Sequence, residues 1–256
     1  KEVIIIGQDT TYYGLDCYGE RRLSALLEAM TRVNGIDWIR LMYAYSSGFP
    51  LDVLKVFRES PKLCRYLDLP LQHASDSVLQ SMRRGITEKG IRKLTDTIRS
   101  EVQDLALRTT FIVGYPNESE KDFQVLYDFV KEMRFHRVGV FLYSHEEGTY
   151  AEALGDPIPR GVKEQRQKAL MELQMEISAE RNRALIGSTI KILIDRKEEG
   201  FAVGRTEWDA PEIDQEIYVK EGGHLSIGNF YDVEIVDAIE YDLYGRIAIQ
   251  QEGRID

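Results

Sequence analysis

Apolar positions along the first two-thirds of the chain switch between two periods. Short apolar runs at residues 3–6, 38–45, 66–71, 105–114 and 138–143 read as buried strands. Between them apolar residues recur at helical spacing, as in Leu23, Leu26, Leu27, Met30 and Val33, then Leu51, Leu54 and Phe57, then residues 78–82 and 87–99, and finally Phe123, Leu126, Tyr127 and Val130. Strands alternating with amphipathic helices predict parallel βα units, and hence the α/β class. Five such units predict an open or closed barrel with its chemistry at the C-terminal strand ends. Residues 161–185 predict a long charged helix with Leu170, Leu173, Met175 and Ile177 turned inward. From Gly187 the period drops to two. Residues 189–194, 201–205, 217–219, 231–238 and 245–249 then predict a small five-stranded β-barrel. The expected division is a barrel domain with its linking helix over residues 1–186 and a β-domain over 187–256. No apolar run approaches the ~20 residues needed to span a bilayer. No leader is read before the first strand, so no membrane partner is expected.

Four of the five expected strands of the first domain end in a polar cluster. Gly7-Gln8-Asp9-Thr10 follows the first, where Gly7 would let a ligand approach the backbone and Gln8 offers a donor and an acceptor. A plain strand-to-loop turn is the simpler reading there. Gln72-His73-Ala74-Ser75-Asp76 follows the third. His73 is a conceivable general base or a satisfied structural histidine, and Asp76 a helix N-cap. Gly114-Tyr115-Pro116 ends the fourth strand, with Glu118 or Ser119 starting the next helix. Ser144-His145-Glu146-Glu147 ends the fifth; its adjacent carboxylates are either an acid pair or a solvated loop.

Charge, split by position, adds a direction. Up to Ile186 there are 26 basic and 27 acidic residues; from Gly187 onward there are 7 and 16. Nearly all of the net charge of −10 therefore lies in the β-domain. Nucleic-acid modules carry the opposite sign, so a basic protein partner is expected rather than RNA, beside the plain alternative of a solvated surface. Two cysteines, Cys17 and Cys64, form neither a CxxC pair nor a disulfide framework, which suits a reducing cytoplasm. They cannot by themselves hold an iron–sulfur cluster, which needs three or four ligands.

Residues 7–14, residues 69–76 with Met82-Arg83-Arg84-Gly85, residues 109–116 and residues 141–149, in this order, resemble the radical S-adenosylmethionine (SAM) methylthiotransferases. The last 70 residues resemble the TRAM module that closes those enzymes. Leu71-Gln72-His73-Ala74-Ser75-Asp76 and Trp208-Asp209-Ala210-Pro211-Glu212-Ile213-Asp214 are similar to the RimO type, which modifies a ribosomal protein, more than to the MiaB type, which modifies tRNA.

The resemblance implies a partial TIM-like (β/α) radical SAM barrel lacking its first strand, followed by an OB-like TRAM barrel. It implies SAM as cofactor and two 4Fe-4S clusters in the full-length enzyme. Their cysteines would precede this chain's first residue, so this chain alone is expected to be inactive. The implied reaction is methylthiolation of the β-carbon of an aspartate in the twelfth small-subunit ribosomal protein. That carbon has no usefully acidic proton, so the cofactor supplies a hydrogen-abstracting radical.

By position the resemblance puts Gly7 and Gln8 at the methionine end of SAM, and Gln72 and Ser75 near its ribose or the substrate. Thr109, Phe111, Val113 and Gly114 would flank the adenosine, with Phe141, Tyr143 and Ser144 on the last strand. His73, Glu146 and Glu147 are the substrate-side catalytic candidates. Trp208, Asp209, Glu212 and Asp214 would meet a basic ribosomal protein through the acidic TRAM domain. A tRNA-modifying enzyme and a non-catalytic binder of the ribosomal protein are the alternatives.

Overall fold

The computed structural model describes residues 1–220 and 224–248. Strands β1 (Glu2–Ile5), β2 (Trp38–Leu41), β3 (Leu63–Asp68), β4 (Ala106–Val113) and β5 (Arg137–Leu142) form one parallel sheet in chain order. Helices α1 (Leu15–Tyr18), α2 (Leu23–Thr31), α3 (Val53–Glu59), α4 (Asp76–Ser81), α5 (Glu88–Glu101) and α6 (Glu120–Met133) connect them, and α7 (Arg160–Ala184) follows. All five expected strands form. The second stops early, at Leu41, because the chain turns through Tyr43, whose φ is 55°. The third starts earlier than expected, at Leu63, and ends at Asp68. Sequence pattern gave no signal for the four-residue α1.

Register fixes which face each side chain takes. Ile5, Leu41, Leu67 and Leu107 are aligned across the sheet and share one hydrophobic core with Leu27, Leu54, Phe57, Ile98, Leu126 and Phe129 of the helices. Side chains at the alternate positions take the other face. There Arg40 is fully buried; its Nε lies 2.9 Å from Glu2 Oε1, and its guanidinium lies 4.8 Å from the Tyr66 ring centroid. Asp68 is also buried, accepting from Arg108 Nη1 (2.9 Å) and from Tyr43 N (3.1 Å). Buried charges of this kind persist when paired and hydrogen-bonded. Towards the C-terminal strand ends this face opens: Ile6 is 68 % exposed and Phe141 59 %.

Helix starts follow local chemistry. Ser119 and Asp122 close a capping box on α6, and Thr87 accepts from Gly90 N at the start of α5. In α7, Leu170, Leu173 and Ile177 join the core as expected, whereas Met175 is exposed.

Strands β6 (Thr189–Glu198), β7 (Phe201–Arg205), β8 (Glu216–Lys220), β9 (Phe230–Ala238) and β10 (Asp242–Ile247) close into a barrel in the order β10-β8-β7-β6-β9. Pairing is antiparallel except between β10 and β8. Alternating Ile190, Ile192, Ile194, Ile217, Val219 and Val233 fill it, and closure leaves no sheet edge. The last expected strand, residues 245–249, begins earlier in the structure, and Ile249 lies outside the described residues. The chain divides into two compact units, Glu2–Ile177 and Ser178 onward, the latter with Lys1. Among the described residues no helix is long and apolar enough to cross a membrane.

Candidate functional site at the open end of the sheet

Parallel pairing brings the loops after all five strands to one edge, where hydrogen bonds fasten each loop or strand end to its neighbour. Thr10 N donates to Tyr43 O (3.1 Å) and Thr10 Oγ1 to Met42 O (3.0 Å), joining the loop after β1 to the one after β2. Ala44 N donates to Asp68 O (3.0 Å). Gln72 N donates to Thr110 O and Ile112 N to Gln72 O, both at 2.8 Å, so the β3 loop continues the sheet beside β4. Tyr143 N then donates to Val113 O (2.9 Å). Gln8, Gln72, Gly114 and Tyr143 therefore lie along one end of one sheet.

Strand parity corrects the expectation for β4. Thr109, Phe111 and Val113 are fully buried on the helix-packed face. Phe111 packs edge-on against Phe129 (6.4 Å) and Phe135 (6.2 Å), and Thr109 Oγ1 donates to Leu69 O (2.9 Å). Their side chains are unavailable to a ligand, since a period of two sends neighbours to opposite faces. Thr110 and Ile112, missed in the sequence reading, take the open face. Ile112 is the register partner of Phe141. A Cβ added at Gly139 would meet both the Phe141 ring (3.5 Å) and Thr110 Oγ1 (3.6 Å), so these groups share that face. Counting every second residue along β4 was the signal that could have found them.

Other expected site residues hold the loops themselves. His73 is fully buried: its Nδ1 accepts from Ser75 N (2.9 Å), and its Nε2 lies 4.0 Å from the buried Glu118 Oε1. With one nitrogen used and the other facing a buried carboxylate, it cannot serve as a base to an outside substrate. Ser75 is buried, and its hydroxyl donates to Asp122 and lies 3.0 Å from Ser77 Oγ. Burial pushes the Asp122 carboxyl up, but hydrogen bonds from Ser119, Ser75 and Ser77 outweigh it and hold that group well below the usual carboxylate range. Ser75, not Asp76, is the N-cap of α4; Asp76 Oδ1 instead accepts from Glu88 N (2.7 Å).

Gly114 has a φ of 77°, and a Cβ there would stand 2.3 Å from Lys163 Cγ. The glycine admits the lysine stem, whose Nζ donates to Tyr143 O (3.0 Å) and to Asp156. Glu118 Oε2 accepts from both Gly114 N and Tyr115 N, and Arg166 Nη1 lies 3.3 Å from its Oε1.

Gly7 and Gln8 are exposed, and only Thr10 Cγ2 lies near a Cβ built at Gly7 (3.7 Å). Gln72 is half-buried with a φ of 74°, and its Oε1 is buried without a hydrogen-bond partner. Tyr143 packs edge-on against Tyr115 at 5.3 Å. Ser144 donates to Glu146 (3.0 Å), and Glu146 and Glu147 are exposed on the loop after β5.

In the second unit, Asp209 is buried and accepts from Thr206 Oγ1 (2.6 Å), so it shapes its turn and offers no docking surface. Asp214 accepts from Ala210 N (2.9 Å). Trp208 is half-buried against the barrel core, its indole N–H buried without a hydrogen-bond partner. Glu212 is exposed.

The open face fits an adenosyl ligand. Ile112 and Phe141 offer an apolar wall, Thr110 and Gln72 offer polar atoms, and Gln8 stands exposed beyond β1. It does not fit an iron–sulfur cluster. Cys17 is exposed, Cys64 is buried, and no group of three His, Cys, Asp or Glu among the described residues could hold a metal.

Comparison with known proteins finds a family match in each unit. The radical SAM superfamily profile matches residues 1–130, and the TRAM domain profile residues 186–248. Relatives named ribosomal protein uS12 methylthiotransferase RimO are 51 % identical over 246 residues in Christiangramia forsetii and 53 % over 248 residues in Cytophaga hutchinsonii. Each match covers 96 % of this chain, but 55 % and 57 % of the relative, so the chain spans little more than half their length. Coproporphyrinogen III oxidase (HemN) from Escherichia coli shares the fold over 70 % of this chain and 41 % of its own, with a TM-score of 0.52 and 19 % identity.

Proposed function

This chain belongs to the radical SAM superfamily, and on that premise we propose that it is the barrel and TRAM portion of a methylthiotransferase that modifies ribosomal protein uS12. The observation that carries the reading is a match of about half identity spread over 96 % of the chain, through both units. It joins a sheet whose open face presents Ile112, Phe141, Thr110 and Gln72 together at the strand ends. When bound, SAM supplies the hydrogen-abstracting adenosyl group and the methyl group.

Ile112 and Phe141 would form the wall that holds the adenine ring, with Thr110 beside it. Gly7 and Gln8 would receive the methionine end, and Gln72 would lie beside the ribose. The backbone of residues 109–114 frames this wall, while Glu118, His73 and Ser75 keep the loops in place. Exposed Glu146 and Glu147 face the incoming polypeptide. The cluster ligands belong to the part of the relatives that this chain does not match, and no step is derived through them.

The acidic TRAM barrel carries the docking of basic uS12. Glu212 and its exposed neighbour Ile213 contribute to that surface, whereas Asp209 and Asp214 shape the turn beneath it. Action on a ribosomal protein places the enzyme in the cytoplasm. A tRNA substrate is not favoured, because the β-domain has 16 acidic residues against 7 basic ones.

The test is anaerobic reconstitution of the full-length protein with iron and sulfide, followed by incubation with SAM and either uS12 or tRNA. The expected result is a mass gain of one methylthio group on uS12. Modification of tRNA with none on uS12 would sink the reading.

A further inference from the structure

The segment between α4 and α5 is pinned across the open end of the sheet. Ser81 O accepts from Tyr115 Oη (3.2 Å), Arg84 O from Tyr45 Oη (3.4 Å) and Gly85 O from Ser47 Oγ (2.9 Å). Arg84 Nη2 also donates to Pro70 O (2.7 Å). Residues 81–85 are thus tied to the loops after β2, β3 and β4. A tie to a fourth loop comes from Arg83, whose guanidinium carbon stands 3.5 Å from the centroid of the Tyr150 ring, on the loop after β5.

Two neighbouring arginines here have opposite fates. Arg84 is half-buried, bonded to Pro70 O and stacked on Tyr45 (4.2 Å). Arg83 is exposed, and among the described residues it makes no hydrogen bond and no ion pair. Its backbone lies in the left-handed region, with a φ of 55°, which few non-glycine residues adopt. Arg83 also lines a cavity of about 910 Å³ with Gln80, Ile86, Thr87 and Gly90. Asp76 lines it too, but that carboxylate already accepts from Glu88 N (2.7 Å).

A planar guanidinium stacked on an aromatic ring is oriented before any ligand arrives, and its five N–H donors stay open. Such a fork matches a carboxylate with two parallel hydrogen bonds. A polyanion is a poorer fit, because among the described residues one free cation stands here, on a chain of net charge −10.

We propose that Arg83, held over Tyr150 at the open end of the sheet, receives and orients a carboxylate side chain of the polypeptide substrate. The inference rests on the reading that the substrate is uS12, and it names the group recognised. Arg83 is a specificity residue in this scheme and takes no part in bond making.

The experiment measures binding of fluorescently labelled uS12 to the full-length protein as wild type, Arg83→Gln, Arg83→Lys and Tyr150→Ala. Arg83→Gln should weaken binding about tenfold, equal to about 1.4 kcal/mol. It should also flatten the salt dependence and raise KM for uS12 more than it lowers kcat. Arg83→Lys, which keeps the charge but loses the fork, should recover part of the affinity. Tyr150→Ala should weaken binding about threefold, since stacking on an exposed ring is worth less than a paired charge. Thermal unfolding midpoints should stay near wild type, because the guanidinium is exposed and unpaired.

In a cycle against uS12 variants with single acidic residues changed to amides, one variant should make Arg83→Gln silent. Equal binding of uS12 by wild type and Arg83→Gln, with modification intact, overturns the inference alone. The same holds if Arg83→Gln weakens tRNA binding but not uS12 binding. A wild type that neither binds nor modifies uS12 overturns both the inference and the reading beneath it.

Discussion

Replacing Glu118 by alanine should unsettle the open end of the sheet. The residue is 3 % exposed and gathers four groups around one carboxylate. Gly114 N and Tyr115 N donate to Oε2, Arg166 Nη1 lies 3.3 Å from Oε1, and His73 Nε2 lies 4.0 Å from it. Removing one partner of a buried ion pair costs about 3–5 kcal/mol, because the other is left uncompensated. Arg166 keeps two further acceptors, Glu118 O and the exposed Glu120 carboxylate, each at 3.2 Å. The lower end of that range, about 3 kcal/mol, is therefore expected for Glu118→Ala. Glu118→Gln keeps the volume and one acceptor for the two backbone N–H groups, and should cost about half as much.

The two tryptophans make the assay local, since Trp38 lies in the parallel sheet and Trp208 in the β-domain. With Trp208 replaced by phenylalanine, urea unfolding followed by fluorescence reports on the sheet unit. For an m-value of about 2 kcal/mol/M, Glu118→Ala should lower the midpoint by roughly 1.5 M. A midpoint no lower than that of Glu118→Gln would refute the view that the buried charge is what holds the turn.

Three further outcomes follow from the same geometry. Gly114→Ala combines a φ of 77° with a Cβ 2.3 Å from Lys163 Cγ, so it should cost about 2–4 kcal/mol, whereas Gly7→Ala, with its nearest neighbour at 3.7 Å, should be within about 0.5 kcal/mol of wild type; paired urea titrations check both. Phe111→Ala should destabilise the sheet unit by about 3–5 kcal/mol, while Ile112→Asn should keep the fold and weaken SAM binding in calorimetry on the full-length protein; the reverse ranking would contradict the assignment of faces. The Asp122 carboxyl is depressed below its ordinary 3.8, so the stability it contributes is present in full above that value and lost as pH falls towards the folded value. Asp122→Asn should flatten the acid limb of a stability-versus-pH curve, and an unchanged acid limb would mean that the serine hydrogen bonds do not matter.

The βα order, the five-stranded β-domain and the edge of the sheet that carries the loops were all legible in the sequence. Each depends on a period repeated over several residues. The strand limits were less so: Met42–Tyr45 reads as apolar strand, yet Tyr43 turns out of it to reach Asp68. Roles within the loops were least legible. His73, Ser75 and Gly114 carry the residue types of an active site, but their partners, Glu118, Asp122 and Lys163, come from 45, 47 and 49 positions further along the chain. Only folding brings those pairs together. The acidic turn at Trp208–Asp214 misled in the same way, since composition counts a carboxylate without showing that Asp209 is buried under Thr206.

The residues that hold the strand-end loops and the residues free to meet a ligand are therefore largely different sets, although both fall mostly within the motifs that carry the family resemblance. A side chain that pins a strand-end loop must satisfy its own hydrogen bonds internally, and a group so satisfied has little left for a ligand. His73, Ser75, Thr109 and Glu118 meet the first condition; Gln8, Arg83 and Phe141 meet the second, and Gln72 stands between, its backbone in the sheet and its buried Oε1 without a hydrogen-bond partner. Substitutions in the two sets should then separate by observable. The first set should lower unfolding midpoints and lose ligand binding only as a consequence. The second should change affinities at nearly constant midpoint. This separation follows because an opened loop exposes buried polar groups, whereas a trimmed surface side chain leaves the sheet and its core untouched.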